Sequence, residues 1–276
     1  MLANKMLSKF DLSSMANNSN IIIIGKDSAG KSTLVKNILY HHKYSTTQYA
    51  IGLEAKYEYT NIPSENIFDI CDYHVVDTIK QYVSSESKNN VNIESNDMIS
   101  TQNVNIVIYD ECSYNNQWKN NNKIIGMYKN NSDYSLTNIY TVQYPCLPTS
   151  LNNYANYIFL FKQPNPITQS VLYRSYAPKS ISFDQFSLSL NEYTAKPYSC
   201  LVIDKRKQQL FYYQTELNDI LPSLKQSDLI ENIPIEDKFY NIIEQTFANE
   251  NPEPINITTN PPTQPTLTEW LWSWFY

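Results

Sequence analysis

Arginine, glycine and cysteine are all scarce in this 276-residue chain. Arginine stands only at Arg174 and Arg206, and charged residues of every kind make up just 17 %. With a formal net charge of −6, no global field draws the chain to nucleic acid or to an anionic membrane, so any such contact has to be local. The cysteines, Cys71, Cys112, Cys146 and Cys200, are far apart and form no CxxC pair. They therefore read neither as a disulfide framework nor as a zinc site, and a reducing compartment is expected. No apolar run approaches the roughly 18–20 residues that span a bilayer. The first twenty residues, polar after a short apolar start, do not make a signal peptide, so a soluble, intracellular protein is expected.

Asn, Ser, Thr, Lys, Ile and 23 tyrosines carry the balance, a mixture that AT-rich coding sequence produces. Hydrophobic residues at 42 % are close to the globular average. The length suffices for one substantial core plus a tail.

Of only 4 glycines, two lie within six residues, in IIIIGKDSAGKST at 21–33. Ile21–Ile24 reads as a strand buried on both faces. Ser32–Tyr40, with Leu34, Val35, Ile38 and Leu39 on one stripe, reads as an amphipathic helix. Between them, GKDSAGKS fits G-x-x-x-x-G-K-[ST], in the strand–loop–helix context this phosphate loop requires. Glycine freedom lets successive N–H groups point into one concavity, backed by the positive end of the helix dipole. The expected nucleotide contacts are Gly25, Lys26, Asp27, Ser28, Ala29, Gly30, Lys31, Ser32 and Thr33. Lys31 reaches the β- and γ-phosphates of ATP, and the Ser32 hydroxyl ligates Mg²⁺. Asp27 is an unusual negative charge for such a loop.

A second motif, IVIYDE at 106–111, is an apolar strand ending in two acids. Asp110 is placed to organise the metal and Glu111 to polarise a water, which favours hydrolysis over transfer to a bound hydroxyl. In IYTVQY, Thr141 and Gln143 stand at the tip of a further strand, where Gln143 can touch both the γ-phosphate and the attacking water.

Strands are expected at 48–55, 105–109, 138–142 and 157–161, and helices at 73–83, 166–176 and 183–193. A hairpin of CLVID (200–204) and QLFYY (209–213) closes the sheet edge. The fold class is α/β: a three-layer P-loop NTPase fold with a mainly parallel central sheet and a C-terminal hairpin. The expected organisation is an N-terminal segment 1–20, an ATPase domain 21–216 with a polar insertion about 84–103, and a C-terminal extension 217–276. That extension holds one helix near 235–247, a proline-rich flexible linker and the aromatic end TEWLWSWFY.

The phosphate loop, the strand ending in DE, the TVQYPCLP segment and the aromatic NYIFLF strand together resemble the poxvirus-type genome-packaging ATPases of large DNA viruses. These form a branch of the FtsK/HerA translocase superfamily, and the resemblance spans roughly residues 18–215. It implies a homo-oligomeric ring that uses ATP hydrolysis to drive double-stranded DNA into a capsid. It also implies work in the host cytoplasm, at a virus factory, and in the virion. Family members carry a Gly-Arg-His-like segment where this chain has Asn131, Ser132 and Asp133, and an arginine where it has Asn152. Arg174 is then the candidate for the arginine that reaches a neighbouring subunit's phosphate, against a surface or ion-pair role; Lys123 and Lys129 are weaker substitutes. Lys205, Arg206 and Lys207 at the hairpin tip are either a DNA contact or a solvated turn. The aromatic end, Trp270, Trp272, Trp274, Phe275 and Tyr276, either docks on a capsid protein or neighbouring subunit or folds back.

Other classes stay in view. A nucleotide kinase needs an arginine-rich lid that two arginines cannot furnish, and a GTPase needs DxxG and NKxD segments that are not present. A nucleotide-binding assembly protein with weak or no ATPase activity needs neither.

Overall fold

The computed structural model describes residues 6–42, 47–69, 75–81, 83, 105–114, 121–145 and 147–215. The chain divides into two units, Met1–Leu224 and Lys225–Tyr276. The expected insertion at 84–103, the helix near 235–247, the linker and the aromatic end lie outside the described residues.

An eight-stranded sheet runs through the first unit in the order β3-β2-β4-β5-β1-β6-β7-β8. The strands are β1 (Asn20–Ile24), β2 (Gln48–Ile51), β3 (Ile67–Phe68), β4 (Asn105–Asp110), β5 (Leu136–Val142), β6 (Tyr157–Leu160), β7 (Ser199–Asp204) and β8 (Gln209–Gln214). All pairings from β3 to β6 are parallel, and the β7–β8 hairpin joins β6 antiparallel. The α/β class, the parallel centre and the closing hairpin are as the sequence led us to expect.

Every residue of β1 is buried because both sheet faces are covered. Ile21 and Ile23 pack with Leu34, Val35 and Ile38 of α1 (Lys31–His41). Ile22 and Ile24 face the opposite layer, built from the helical residues around Val76 and Ile79 and four further helices: α3 (Asn122–Lys129), α4 (Thr149–Tyr154), α5 (Pro166–Tyr176) and α6 (Phe183–Tyr193). Burying each such isoleucine contributes about 1.5–3 kcal/mol. Local chemistry fixes the helix starts. The Asn165 side chain caps α5 ahead of Pro166, and Ser182 and Gln185 form a reciprocal capping box on α6.

Three features depart from the sequence reading. The second strand stops at Ile51 rather than running to 55, and the chain turns at Gly52 into α2 (Ala55–Glu58). The N-terminal segment belongs to the core: Phe10, Leu12 and Met15 are buried on the α1 face, and residues 8–10 pair with Tyr212 of β8. Cys112 is disulfide-bonded, against the expectation of reduced thiols, whereas Cys200 is free and buried.

Where the parallel strands begin, asparagines replace isoleucines. Asn20 Nδ2 donates to the carbonyls of Tyr128 (2.8 Å) and Tyr154 (3.1 Å), and its Oδ1 accepts from Asn138 Nδ2 at 2.8 Å. This buried amide cluster ties β1, β5, α3 and α4 together at the end of the sheet opposite the phosphate loop. Asn20→Ala leaves these partners unsatisfied in the interior. Urea unfolding of that variant is expected to show a loss of about 1–3 kcal/mol, with nucleotide affinity unchanged because the change lies at the far end of the sheet.

Candidate functional site

At the other end of β1 the Gly25 N–H still donates to the Val142 carbonyl at 3.0 Å before the chain leaves the sheet. The loop closes on itself through Ala29 N–H to the Lys26 carbonyl at 3.2 Å, with Ser28 at φ +58 and Gly30 at φ +105. Side chains are excluded at both glycines. A Cβ on Gly25 would stand 2.9 Å from Phe161 Cβ, and one on Gly30 would stand 2.7 Å from Tyr198 Cδ1. The helix α1 then starts at Lys31 with no side-chain cap and no acidic residue in its first turn. Its leading N–H groups and its dipole are left facing the loop, an arrangement that favours an anion.

Lys31 is 8 % exposed. Its Nζ donates to the carbonyls of Gly25 (2.9 Å) and Lys26 (3.2 Å), lies 2.9 Å from Glu111 Oε1 and stands 3.8 Å from Asp27 Oδ1.

The acids arrive from β4 and the polar tip from β5, two strands in register at Asp110 and Thr141. The Thr141 hydroxyl donates to Asp110 Oδ1, and the Glu111 N–H donates to the Thr141 hydroxyl oxygen at 3.2 Å. Glu111 adopts φ +53, a left-handed turn that swings its carboxylate off the strand axis and onto Lys31. Gln143 Nε2 donates to Asp27 Oδ1 at 2.5 Å, so the strand tip and the loop carboxylate are already bridged.

Burial raises the pKa of both acids. For Glu111 the pairing with Lys31 opposes the rise. For Asp110 the Thr141 hydroxyl opposes it and the Glu58 charge adds to it.

The sequence reading missed two participants. Tyr59, fully buried, sets its hydroxyl beside both Asp110 and Ser32; burial, then the Asp110 charge, holds its pKa well above the ordinary phenol value. Gly52 admits β4: a Cβ there would stand 2.6 Å from the Asp110 carbonyl oxygen and 3.0 Å from Asp110 Cβ. Glycine scarcity was the available signal for Gly52, whereas nothing in the polar stretch around Tyr59 marks it out.

Ser32 and Asp110, brought together at Tyr59, form a hard oxygen donor pair beside the open helix terminus. Among the described residues no three His, Cys, Asp or Glu side chains gather to hold a metal. A Mg²⁺ ion fits such a pair, since it keeps several waters and takes phosphate oxygens as further ligands.

Lys31, Ser32, Asp27, Asp110, Glu111 and Gln143 thus converge, whereas Arg174 does not. It is exposed in the last turn of α5, a helix that starts where β6 ends and runs back toward the asparagine end. The final residue of that helix shows this direction, since the Tyr176 hydroxyl donates to Asn152 Oδ1 (2.5 Å) and Lys205 Nζ at the hairpin tip donates to the Asn152 carbonyl (2.8 Å). Asn152 is therefore a half-buried strut. Lys123 is paired with Asp77 at 2.5 Å. The basic hairpin tip is largely committed internally as well. Arg206 stacks over the Tyr157 ring, 5.1 Å from its centroid, and donates to the Tyr157 hydroxyl, while Lys207 stands 3.8 Å from Asp204.

Gly52→Ala should drive β2 away from Asp110. Overpacking of this kind costs about 1–3 kcal/mol, to be read as a lowered urea midpoint; an unchanged midpoint would contradict the contact.

No family model matches the chain. A curated relative, uncharacterized protein L437 of Acanthamoeba polyphaga mimivirus, is 27 % identical over 221 residues, covering 73 % of this chain and 72 % of its own. Among solved structures, the genome packaging NTPase B204 of Sulfolobus turreted icosahedral virus 2, in complex with ATP-gammaS, superposes with a TM-score of 0.54 at 18 % identity, covering 73 % of this chain and all of that one. The pCW3 conjugation coupling protein TcpA, also with ATPgS, gives a TM-score of 0.50 at 12 % identity, covering 74 % and 61 % of the two chains. At these identities the shared property is the fold, which is that of a viral packaging NTPase and of a conjugation coupling protein.

Proposed function

We propose that the chain is an ATP-hydrolysing motor of the viral genome-packaging type, acting as a homo-oligomeric ring on double-stranded DNA. The carrying observation is the buried Lys31–Glu111 pair at the mouth of an uncapped helix, with Asp110, Thr141 and Gln143 fixed beside it. The common fold with a packaging NTPase supports the reading, as does a viral relative over most of the chain.

The residues divide the work. Loop N–H groups and the first turn of α1 take the phosphates, and Lys31 turns from Glu111 to the β- and γ-phosphates. Ser32 and Asp110 hold Mg²⁺, which supplies charge neutralisation on the phosphate oxygens. Freed from its ion pair, the Glu111 carboxylate accepts a proton from the attacking water. Gln143, released from Asp27, reports whether the γ-phosphate is present. Arg174 serves an adjacent subunit's site, since it lies away from its own. The work is done in the host cytoplasm at the virus factory, and the aromatic end docks on a capsid protein.

One observation favours a second reading, a nucleotide-holding assembly protein. Of the two arginines in the chain, Arg206 is stacked internally and Arg174 is far from its own phosphate loop. ATPase activity stimulated by double-stranded DNA marks the motor, whereas slow, DNA-indifferent turnover with retained nucleotide marks the scaffold.

Glu111→Gln should cut turnover by about 10²–10⁴-fold, the usual contribution of a general base. Because it also removes the anion that competes for Lys31, ATP affinity should rise; turnover at the wild-type rate would rule out the assigned base. The base must be ionised to work, and burial raises its pKa. The acid limb of kcat/KM should therefore lie above the ordinary glutamate range, with activity climbing as pH rises through it. A limb at the ordinary value would show that burial does not govern this group. Arg174→Ala should lower turnover by about 10³-fold or more, the cost of a missing arginine finger. Mixing it with Lys31→Ala subunits should restore part of the activity, because the intact Lys31 site of an Arg174→Ala subunit then borders a subunit that retains Arg174.

A further inference from the structure

The acids mark only one side of the phosphate loop. β1 lies between β5 and β6; Asp110, Glu111, Thr141 and Gln143 all approach from the β5 side. A triphosphate whose γ end meets Lys31 and Glu111 therefore runs its α-phosphate, ribose and base past the start of α1 toward the β6 side.

What stands there is an aromatic ring. β7 is antiparallel to β6, so it begins at the end where β6 finishes, with Leu160 opposite Leu201. The residue just before β7, Tyr198, arrives against the loop: its Cδ1 and Cε1 would be 2.7 and 3.5 Å from a Cβ on Gly30. Tyr198 has φ +55, an unfavourable backbone for a bulky residue, and its side chain is left substantially open, the residue being 47 % exposed. The loop is also anchored. The Thr215 N–H donates to the Tyr198 carbonyl at 3.2 Å, and Asn37 of α1 donates to the Thr215 hydroxyl at 3.5 Å and the Tyr213 hydroxyl at 3.1 Å. An exposed aromatic is thus held, at a conformational cost, on the same helix that receives the phosphates.

We propose that the Tyr198 ring is the stacking platform for the nucleobase of the bound nucleoside triphosphate. This rests on the phosphate-loop reading above and adds the base subsite to it. Stacking reads the face of a base and not its edge, so Tyr198 contributes to ATP and GTP alike. Neither glycine contact requires the tyrosine hydroxyl, so phenylalanine serves equally.

The test compares ATP, GTP and inorganic tripolyphosphate, which has no base, binding to full-length wild type, Tyr198→Ala and Tyr198→Phe by calorimetry. Tyr198→Ala should weaken ATP and GTP about tenfold or more, the loss expected for one base–aromatic stack. Its tripolyphosphate affinity should equal that of wild type, and Tyr198→Phe should behave as wild type throughout. Unchanged ATP affinity in Tyr198→Ala, or an equal loss for tripolyphosphate, would overturn the platform while leaving the phosphate loop standing. Wild type that binds neither ATP nor tripolyphosphate would overturn both.

Discussion

The site is organised around one buried ammonium group. Lys31 is enclosed by two loop carbonyls and a carboxylate, and each of these contacts depends on a different piece of the fold. The carbonyls face inward only because Gly25 and Gly30 allow the loop to curl. The carboxylate arrives only because Glu111 leaves β4 in a left-handed turn held by Thr141. An ammonium in so enclosed a position needs a partner, since an unpaired buried charge is costly. Glu111 fills that place here. On the hydrolytic reading proposed above, the acid assigned to the attacking water is thereby kept occupied for as long as no phosphate draws Lys31 away.

Glycine economy explains how much of this was legible. Of the four glycines, Gly25, Gly30 and Gly52 each have a neighbour within 3.0 Å of where a Cβ would stand, and all three lie at the phosphate end of the sheet; Gly126, in α3, has open space around it. The loop and the two acids were readable because strand, glycine and lysine occur in a fixed local order. The parallel sheet was readable because isoleucine-rich runs mean burial on both faces. Helices α5 and α6 could be delimited because Asn165-Pro166 and Ser182 with Gln185 are local capping signals.

What sequence could not supply is contact between distant segments. Tyr59 joins Ser32 and Asp110 only after β2 and β4 pair, and Tyr198 meets Gly30 only after the hairpin folds back on β6. Residues 1–20 read only as a mostly polar segment ahead of the ATPase domain, yet Phe10, Leu12 and Met15 are buried against β8 and the α1 face. The basic tip read as a surface feature because charge was visible and Tyr157, some fifty positions earlier, was not visibly its partner. Asparagine, abundant for reasons of coding composition, was likewise unremarkable in sequence; in the structure it replaces isoleucine just where the strands begin.

The pairing of residues 8–10 with β8 also bears on how copies of this chain meet. One border of the sheet is covered at its middle, at Tyr212, by the chain's own N-terminal residues, and the other ends, among the described residues, in the two-residue strand β3. Among the described residues neither border presents a long row of free backbone donors and acceptors, the feature by which sheets fuse with one another. In the ring proposed above, a neighbour would therefore be recognised through side chains and loops, which can separate and re-engage without tearing backbone hydrogen bonds. A ring held in that way would be able to shift its subunits against one another while each sheet stays intact.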